Sequence, residues 1–489
     1  MCEILTYRHL SFWLLITIVA AGCANVQSTV QLGGASDPAI QSCRAKFKLV
    51  DSVVASVADA ETSRIPGFPY LRVNRLHAAY AKNSMPRPAF KAWVHQLRSL
   101  ARAARTVEIA NLPKAKKASL TVSPAQLENC AEILQKNDLL TDQGRKILQE
   151  NAHVPDHYSN LSRTVGIYPL SSVPIWLGYK NLRKSQTEDF RLGLHQPNKT
   201  TYGPAISHYP AKVQNIMRMI ERDALGLPIL SASDRHTILS AFAPIFTIEH
   251  VTKDDAIGMP RYNANGALGI DINDPVVFHR ITFTRIGGEA HIQLVYTTFF
   301  PARTSSGPLD LFAGQLDGLI WRVTLDKTGR PIIYDSAHPC GCYHLFFPAT
   351  PWRIKPSVAD ATFGEPPLAP IAGPIPKRGE RVRLLVKAGT HYLAGVKLSR
   401  EANSAQQIPY RMTSENVLRS LPTSGGSRRS LYDTDGIVVQ SARPERFLLW
   451  PMGIANAGAM RQWGTHATAF VGRRHFDDPF LFDGMLTQE

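Results

Sequence analysis

The spacing of apolar residues changes once along this chain, and that change fixes what it can fold into. Up to about residue 150 they recur at helical spacing. In RPAFKAWVHQLRSLARAAR, Phe90, Trp93, Val94, Leu97, Leu100, Ala101 and Ala104 share one stripe. In SPAQLENCAEIL, Ser123 suits an N-cap, Pro124 the first helical position and Gln126 the reciprocal position of a capping box. Residues 150–250 read as short helices mixed with loops. From about residue 270 the period becomes two. VVFHRITFTRI and HIQLVYTTFF flank Gly287-Gly288-Glu289, which predicts a hairpin. GLIWRVTL and RPIIYDS flank DKTG, with Gly329 suited to a left-handed turn position. RVRLLVKAGTHYLAGVKL predicts a third strand pair. The expected class is α+β, a helical N-terminal half followed by an antiparallel β-rich C-terminal half.

The organisation follows from the same reading. Residues 1–22 form a signal peptide and 23–40 a lipidated tether. Residues 41–265 are mainly helical, and 266–347 are antiparallel hairpins ending in a CGC loop. Residues 348–379 make a Pro-rich connector, and 380–489 a β-rich, mixed region.

The compartment is read from the N-terminus. Leu10–Ala21, LSFWLLITIVAA, is an apolar run suited to a signal peptide and too short for a bilayer span of roughly 20 residues. Ala20-Ala21-Gly22-Cys23 follows directly and resembles a bacterial lipobox. That resemblance implies acylation of Cys23, and Ala24 after it favours the outer membrane, facing the periplasm. Lys and Arg total 55 against 39 Asp and Glu, a net charge of +16. In an envelope this excess points to anionic polymers and headgroups rather than nucleic acid.

An oxidising compartment sharpens the cysteine question. Cys43 shares a helical stripe with Phe47, Val50 and Val54, and Cys130 shares one with Leu127 and Leu134. They form either a bridge or two buried thiols. Cys340 and Cys342 lie in DSAHPCGCYHLFFP, where His338, Cys340, Cys342 and His344 fall at every second residue. On a continuing strand, four ligands about 6.6 Å apart cannot converge on one zinc ion. Pro339 and Gly341 allow a turn that lets three or four point together, with His291 in support. The alternatives are a Cys340–Cys342 disulfide, a structural turn, and a Cys342 nucleophile with His338 or His344 as base and Asp335 orienting it. Farther on, Arg473 and Arg474 suit an anion, and His466, His475, Asp477 and Asp478 have metal or acid–base chemistry. No P-loop, GxGxxG, HExxH or GxSxG stretch occurs.

GPLDLFAGQLDGLIWRVTLDKTGRPIIYDSAHPCGCYHLFFP, GAMRQWGTHATAFVGRRHFDDP and IPGFPYLRVNR resemble segments of proteobacterial lipoproteins known as conserved hypothetical proteins. The resemblance implies lipoprotein character and an envelope location, and it carries over no catalytic residue. Two functions are therefore expected. One is a zinc-dependent envelope hydrolase using His338, Cys340, Cys342 and His344. The other is a non-enzymatic binding or scaffolding lipoprotein with a disulfide-stapled CGC loop and a basic surface.

Overall fold

The computed structural model describes residues 37–82, 84–205, 210–361, 363–400 and 407–488. The expected signal peptide, residues 1–22, and the expected acylation site Cys23 lie outside the described residues. The first described helix, Pro38–Val54, is capped by Asp37 and buries Ile40, Cys43, Phe47, Val50 and Val54. It packs with Arg87–Ala110 and Pro124–Asp138 over a small hairpin, β1 (Ser63–Ile65) and β2 (Phe68–Val73). Ser123 and Gln126 make the reciprocal capping box. Cys43 and Cys130, brought together by their apolar stripes, form a disulfide between the first and last of these helices.

The rest is built on one mixed sheet. In chain order its strands are β3 (Lys199–Pro204) and β4 (Ile245–Glu249), then, after a separate hairpin of β5 (Met259–Tyr262) and β6 (Leu268–Asp271), β7 (Val276–Ile286), β8 (Glu289–Arg303), β9 (Gly314–Leu325), β10 (Pro331–Ala337) and β11 (Leu345–Pro348). The short β12 (Trp352–Ile354) pairs with the chain end at Leu486–Gln488. β13 (Glu380–Val386), β14 (Leu393–Arg400) and β15 (Ile408–Ser414) return to the main sheet. Its order is β11-β10-β9-β8-β7-β15-β3-β4-β13-β14.

The class is α+β, with helices mostly in the N-terminal half and strands mostly in the C-terminal half. The three expected hairpins form, as β7–β8, β9–β10 and β13–β14. Gly287, Gly288 and Gly329 take the left-handed conformation at the first two turns. The sheet departs from pure antiparallel pairing, because β15 runs parallel to β3 and β7, and β13 parallel to β4. β3 and β4 also come from the stretch that reads as mainly helical. One expectation fails locally: between residues 150 and 250 stands a helix of 25 residues, Tyr168–Leu192, which runs on through Pro174.

Candidate functional site

The CGC loop is the hairpin turn between β10 and β11. The Gly341 N–H donates to the His338 carbonyl at 2.8 Å, and the His338 N–H donates to the Cys342 carbonyl at 3.0 Å. Gly341 sits at φ +89° with Ala467 packed against it. The turn that Pro339 and Gly341 predict is there, but it does not gather the ligands.

The two imidazoles go to different carboxylates. His344 Nε2 donates to Asp335 at 2.8 Å, and the same carboxylate accepts Arg322 Nε and Nη2 at 2.8 and 2.7 Å. His338 Nδ1 faces Asp317 at 3.3 Å. Asp317 also takes His391 Nδ1 at 2.8 Å, and the His391 ring stacks on Phe300. Asp317 and Arg322 are five residues apart on β9, so their side chains leave opposite faces of the sheet. His291 turns its Nδ1 toward the Leu325 carbonyl at 3.1 Å. The loop leaves β10 opposite Ile320, roughly 16 Å along β9 from Leu325. Among the described residues no three His, Cys, Asp or Glu side chains group to hold a metal. His338, Cys340, Cys342, His344 and His291 are therefore not brought together as one ligand set in this structure.

Cys342 is also a poor nucleophile in this setting. Cys340 and Cys342 are free and buried, and the Cys342 N–H donates to Cys340 Sγ at 3.3 Å. The Cys340 sulfur and burial push the Cys342 thiol up, which keeps it protonated. Neither loop imidazole is bonded to it. The expected Cys340–Cys342 bond is not formed, and among the described residues the disulfide is Cys43–Cys130. Arg473 and Arg474 do not act together on an anion. Arg473 is held by Asp156 and Asn160, and Arg474 by Thr468 and the Glu365 carbonyl.

The C-terminal segment makes its contribution elsewhere. His475, Asp477 and Asp478 line a groove that starts between the helical layer and residues 434–480 and runs on within the helical layer. The groove consists of three adjoining cavities. The first, about 570 Å³, is lined by Asp59, Glu61, Asp156, Asp435 and Asp477 with Arg75, His157 and Arg461. The second, about 810 Å³, shares Arg75 and Val154 with the first and adds Lys82, Lys146, Glu150, His153, His475 and Asp478. The third, about 640 Å³, shares Ser84, Lys146 and Gln149 with the second and adds Arg87, Lys91, Lys136 and Arg145 against a single carboxylate, Asp142. Lining charge therefore passes from acidic to basic along the groove.

The acidic end rests on a buried ion network. Arg280 donates to Glu415 at 2.7 Å and to Glu61 at 3.0 and 3.2 Å. Arg419 grips Asp59 at 2.7 and 3.0 Å, and Gln462 donates to Asp59 at 2.7 Å. Burial pushes the Glu61 carboxyl up, but Arg280 and Arg419 prevail and hold it below its ordinary value. Arg75 joins Asp477 at 3.1 Å and His157 Nδ1 at 3.3 Å. Burial and Arg75 lower His157 to about 4, so its ring is neutral at pH 7. His466, buried close by, is lowered by burial to about 3, and neither ring nitrogen has a hydrogen-bond partner.

Sequence reading picked out His475, Asp477 and Asp478 but missed Asp59, Glu61, Arg75, His157 and Arg461. These come from segments up to some 400 residues apart, and no local motif joins them. No family model, curated protein or solved structure matches the chain.

Proposed function

We propose that the chain is an acylated lipoprotein of the bacterial outer membrane, facing the periplasm, whose groove binds an extended envelope glycan carrying acidic groups. The observation that carries this reading is the charge gradient along the three adjoining cavities. Carboxylates, amides and neutral imidazoles suit sugar hydroxyls at one end. Arg87, Lys91, Lys136 and Lys146 suit carboxylates or phosphates at the other. The anchor rests on the AAGC stretch.

Binding is favoured over hydrolysis because four lining carboxylates are already engaged, Asp59 by Arg419, Glu61 by Arg280, Asp477 by Arg75 and Asp156 by Arg473, and His157 is no base either. Its Nδ1 accepts from Arg75, so its proton sits on Nε2 and no basic ring nitrogen remains to activate water. A zinc-dependent hydrolase draws no support from His338 and His344 rings that face separate carboxylates.

Co-sedimentation of the full chain, in mild detergent, with purified peptidoglycan sacculi tests the proposal. The chain is expected to pellet, and Lys91→Glu with Lys146→Glu to weaken pelleting at least about fivefold. A chain that stays in solution, or a double variant that pellets as well as the parent, would overturn it.

A further inference from the structure

The helix Tyr168–Leu192 turns an apolar stripe to solvent. The residues it buries are Ser172, Gln186 and Asp189. Leu170, Val173 and Leu177, spaced three and four apart, line its solvent face, with Leu170 71% and Leu177 51% exposed. An amphipathic helix ordinarily turns that stripe inward. Its inward face combines half-buried Ile175 and Phe190, packed on the core, with polar contacts, among them Lys387 to Asp189 at 2.8 Å and Tyr179 to the Pro366 carbonyl.

The stripe continues beyond the helix. Ile167, which precedes it, is 59% exposed and stands at φ +51°. A β-branched residue is rarely found in that conformation, and here it holds an apolar side chain out at the apex of a turn. Gly166 beside it lies directly against Pro451, and Arg163 Nε donates to the Met452 carbonyl at 2.9 Å. That brings up Trp450 and, on the adjoining turn of helix, Phe447 and Leu448, all exposed. The result is an apolar face far from the ordinary surface of a folded chain, on which single exposed apolar residues are usual and contiguous clusters are not.

Cations border it. Lys180 stands over the Trp176 ring at 3.7 Å, and Arg446 over the Phe447 ring at 4.7 Å. Arg163 lies over the Tyr158 and Tyr168 rings, and Lys184 is exposed one turn beyond Lys180. Exposed aliphatic and aromatic side chains within a border of Lys and Arg match the layering of a membrane interface. There apolar groups enter the acyl region and cations meet phosphate headgroups. The same border would repel its own copy, which disfavours a homodimer on this face.

We propose that the face formed by Ile167, Leu170, Val173, Leu177, Phe447 and Trp450 docks on the surface of a lipid bilayer that carries anionic headgroups. This goes beyond acylation at Cys23. A lipid anchor alone tethers the chain, whereas this face sets which side of the folded body lies on the membrane.

Hydroxyl-radical footprinting of the full chain, with and without vesicles of phosphatidylethanolamine and phosphatidylglycerol, reads the proposal directly. Oxidation of peptides containing residues 161–177 and 446–450 is expected to fall at least about threefold on vesicles. Leu140, at the basic end of the groove and 77% exposed, serves as the internal reference. Leu170→Asp with Leu177→Asp, both at exposed positions and checked for an unchanged circular dichroism melt, is expected to abolish the protection. Unchanged labelling on vesicles means that the body hangs free of the membrane, and overturns the proposal. So does equal protection of Leu140, or protection that appears without vesicles as protein concentration rises, which would identify a second copy as the occupant.

Discussion

Replacing Asp335 by Asn isolates the interaction that holds the CGC hairpin to the sheet. The carboxylate accepts two bonds from Arg322 and one from His344, and all three side chains are at most 1% exposed. Burial would push the Asp335 carboxyl up, but Arg322 and the His344 N–H hold it below its ordinary value. The substitution keeps the shape and leaves the Arg322 charge buried without its counterion. Breaking such a pair from one side costs about 3–5 kcal/mol. Over 489 residues the entropy of melting is about 1 kcal/mol/K. A fall in Tm of about 3–5 °C follows for a chain that melts in one transition. Circular dichroism melting of parent and variant measures it. The double variant Arg322→Met, Asp335→Leu removes both charges and should recover most of the loss. A single variant within 1 °C of the parent, or a double variant no better than the single, would refute the reasoning.

Three further outcomes are expected. The Cys43–Cys130 bridge spans a sequence separation of 87, for which chain entropy gives about 4.6 kcal/mol. Cys43→Ala with Cys130→Ala should lower Tm by about 4–5 °C on the same scale, and added reductant should then change nothing further. Gly341→Ala forces a Cβ onto the Ala467 carbonyl at φ +89°, so its Tm should fall more than that of Gly425→Ala, which meets open space. His77, His157 and His344 are lowered by burial to about 4 and His466 to about 3, against roughly 6.5 unfolded. Their contribution is complete above about pH 6.5 and is lost as pH falls toward 4, so Tm should drop across that window. His391 runs the other way. Burial lowers it, but Asp255 and Asp317 raise it above its ordinary value, so its contribution is complete below about pH 6.5 and is lost as pH rises through the raised value. A Tm that stays level from pH 7 to 4 would contradict the four-histidine account.

Local features were legible where the physics is local. A period of two with Gly287-Gly288 or Gly329 at the turn suffices for a hairpin, and Ser123 with Gln126 suffices for a cap. The Cys43 and Cys130 stripes said that both thiols point inward, though not that they meet. Long-range pairing was not legible, so β15 beside β3 and β7 came only with the structure. The CGC loop misled for a definable reason. Equal spacing in sequence suggested a shared face, and the turn at His338–Gly341 sends its two imidazoles to opposite faces of the sheet. The exposed stripe of Tyr168–Leu192 is a sharper case, because a stripe at helical spacing reads the same whether it faces a core or something else. The groove had no sequence signature at all, since Asp59, Arg75, His157 and Asp477 become neighbours only on folding.

The most direct test of the groove as a binding site is calorimetric titration of the full chain with soluble peptidoglycan glycan strands of defined length. Three adjoining cavities predict that affinity rises at least about tenfold from fragments that fill one cavity to strands that reach the Lys91 and Lys146 end. They also predict that the gain disappears in Lys91→Glu, Lys146→Glu. Affinity independent of strand length, or no heat at any length, would contradict the account.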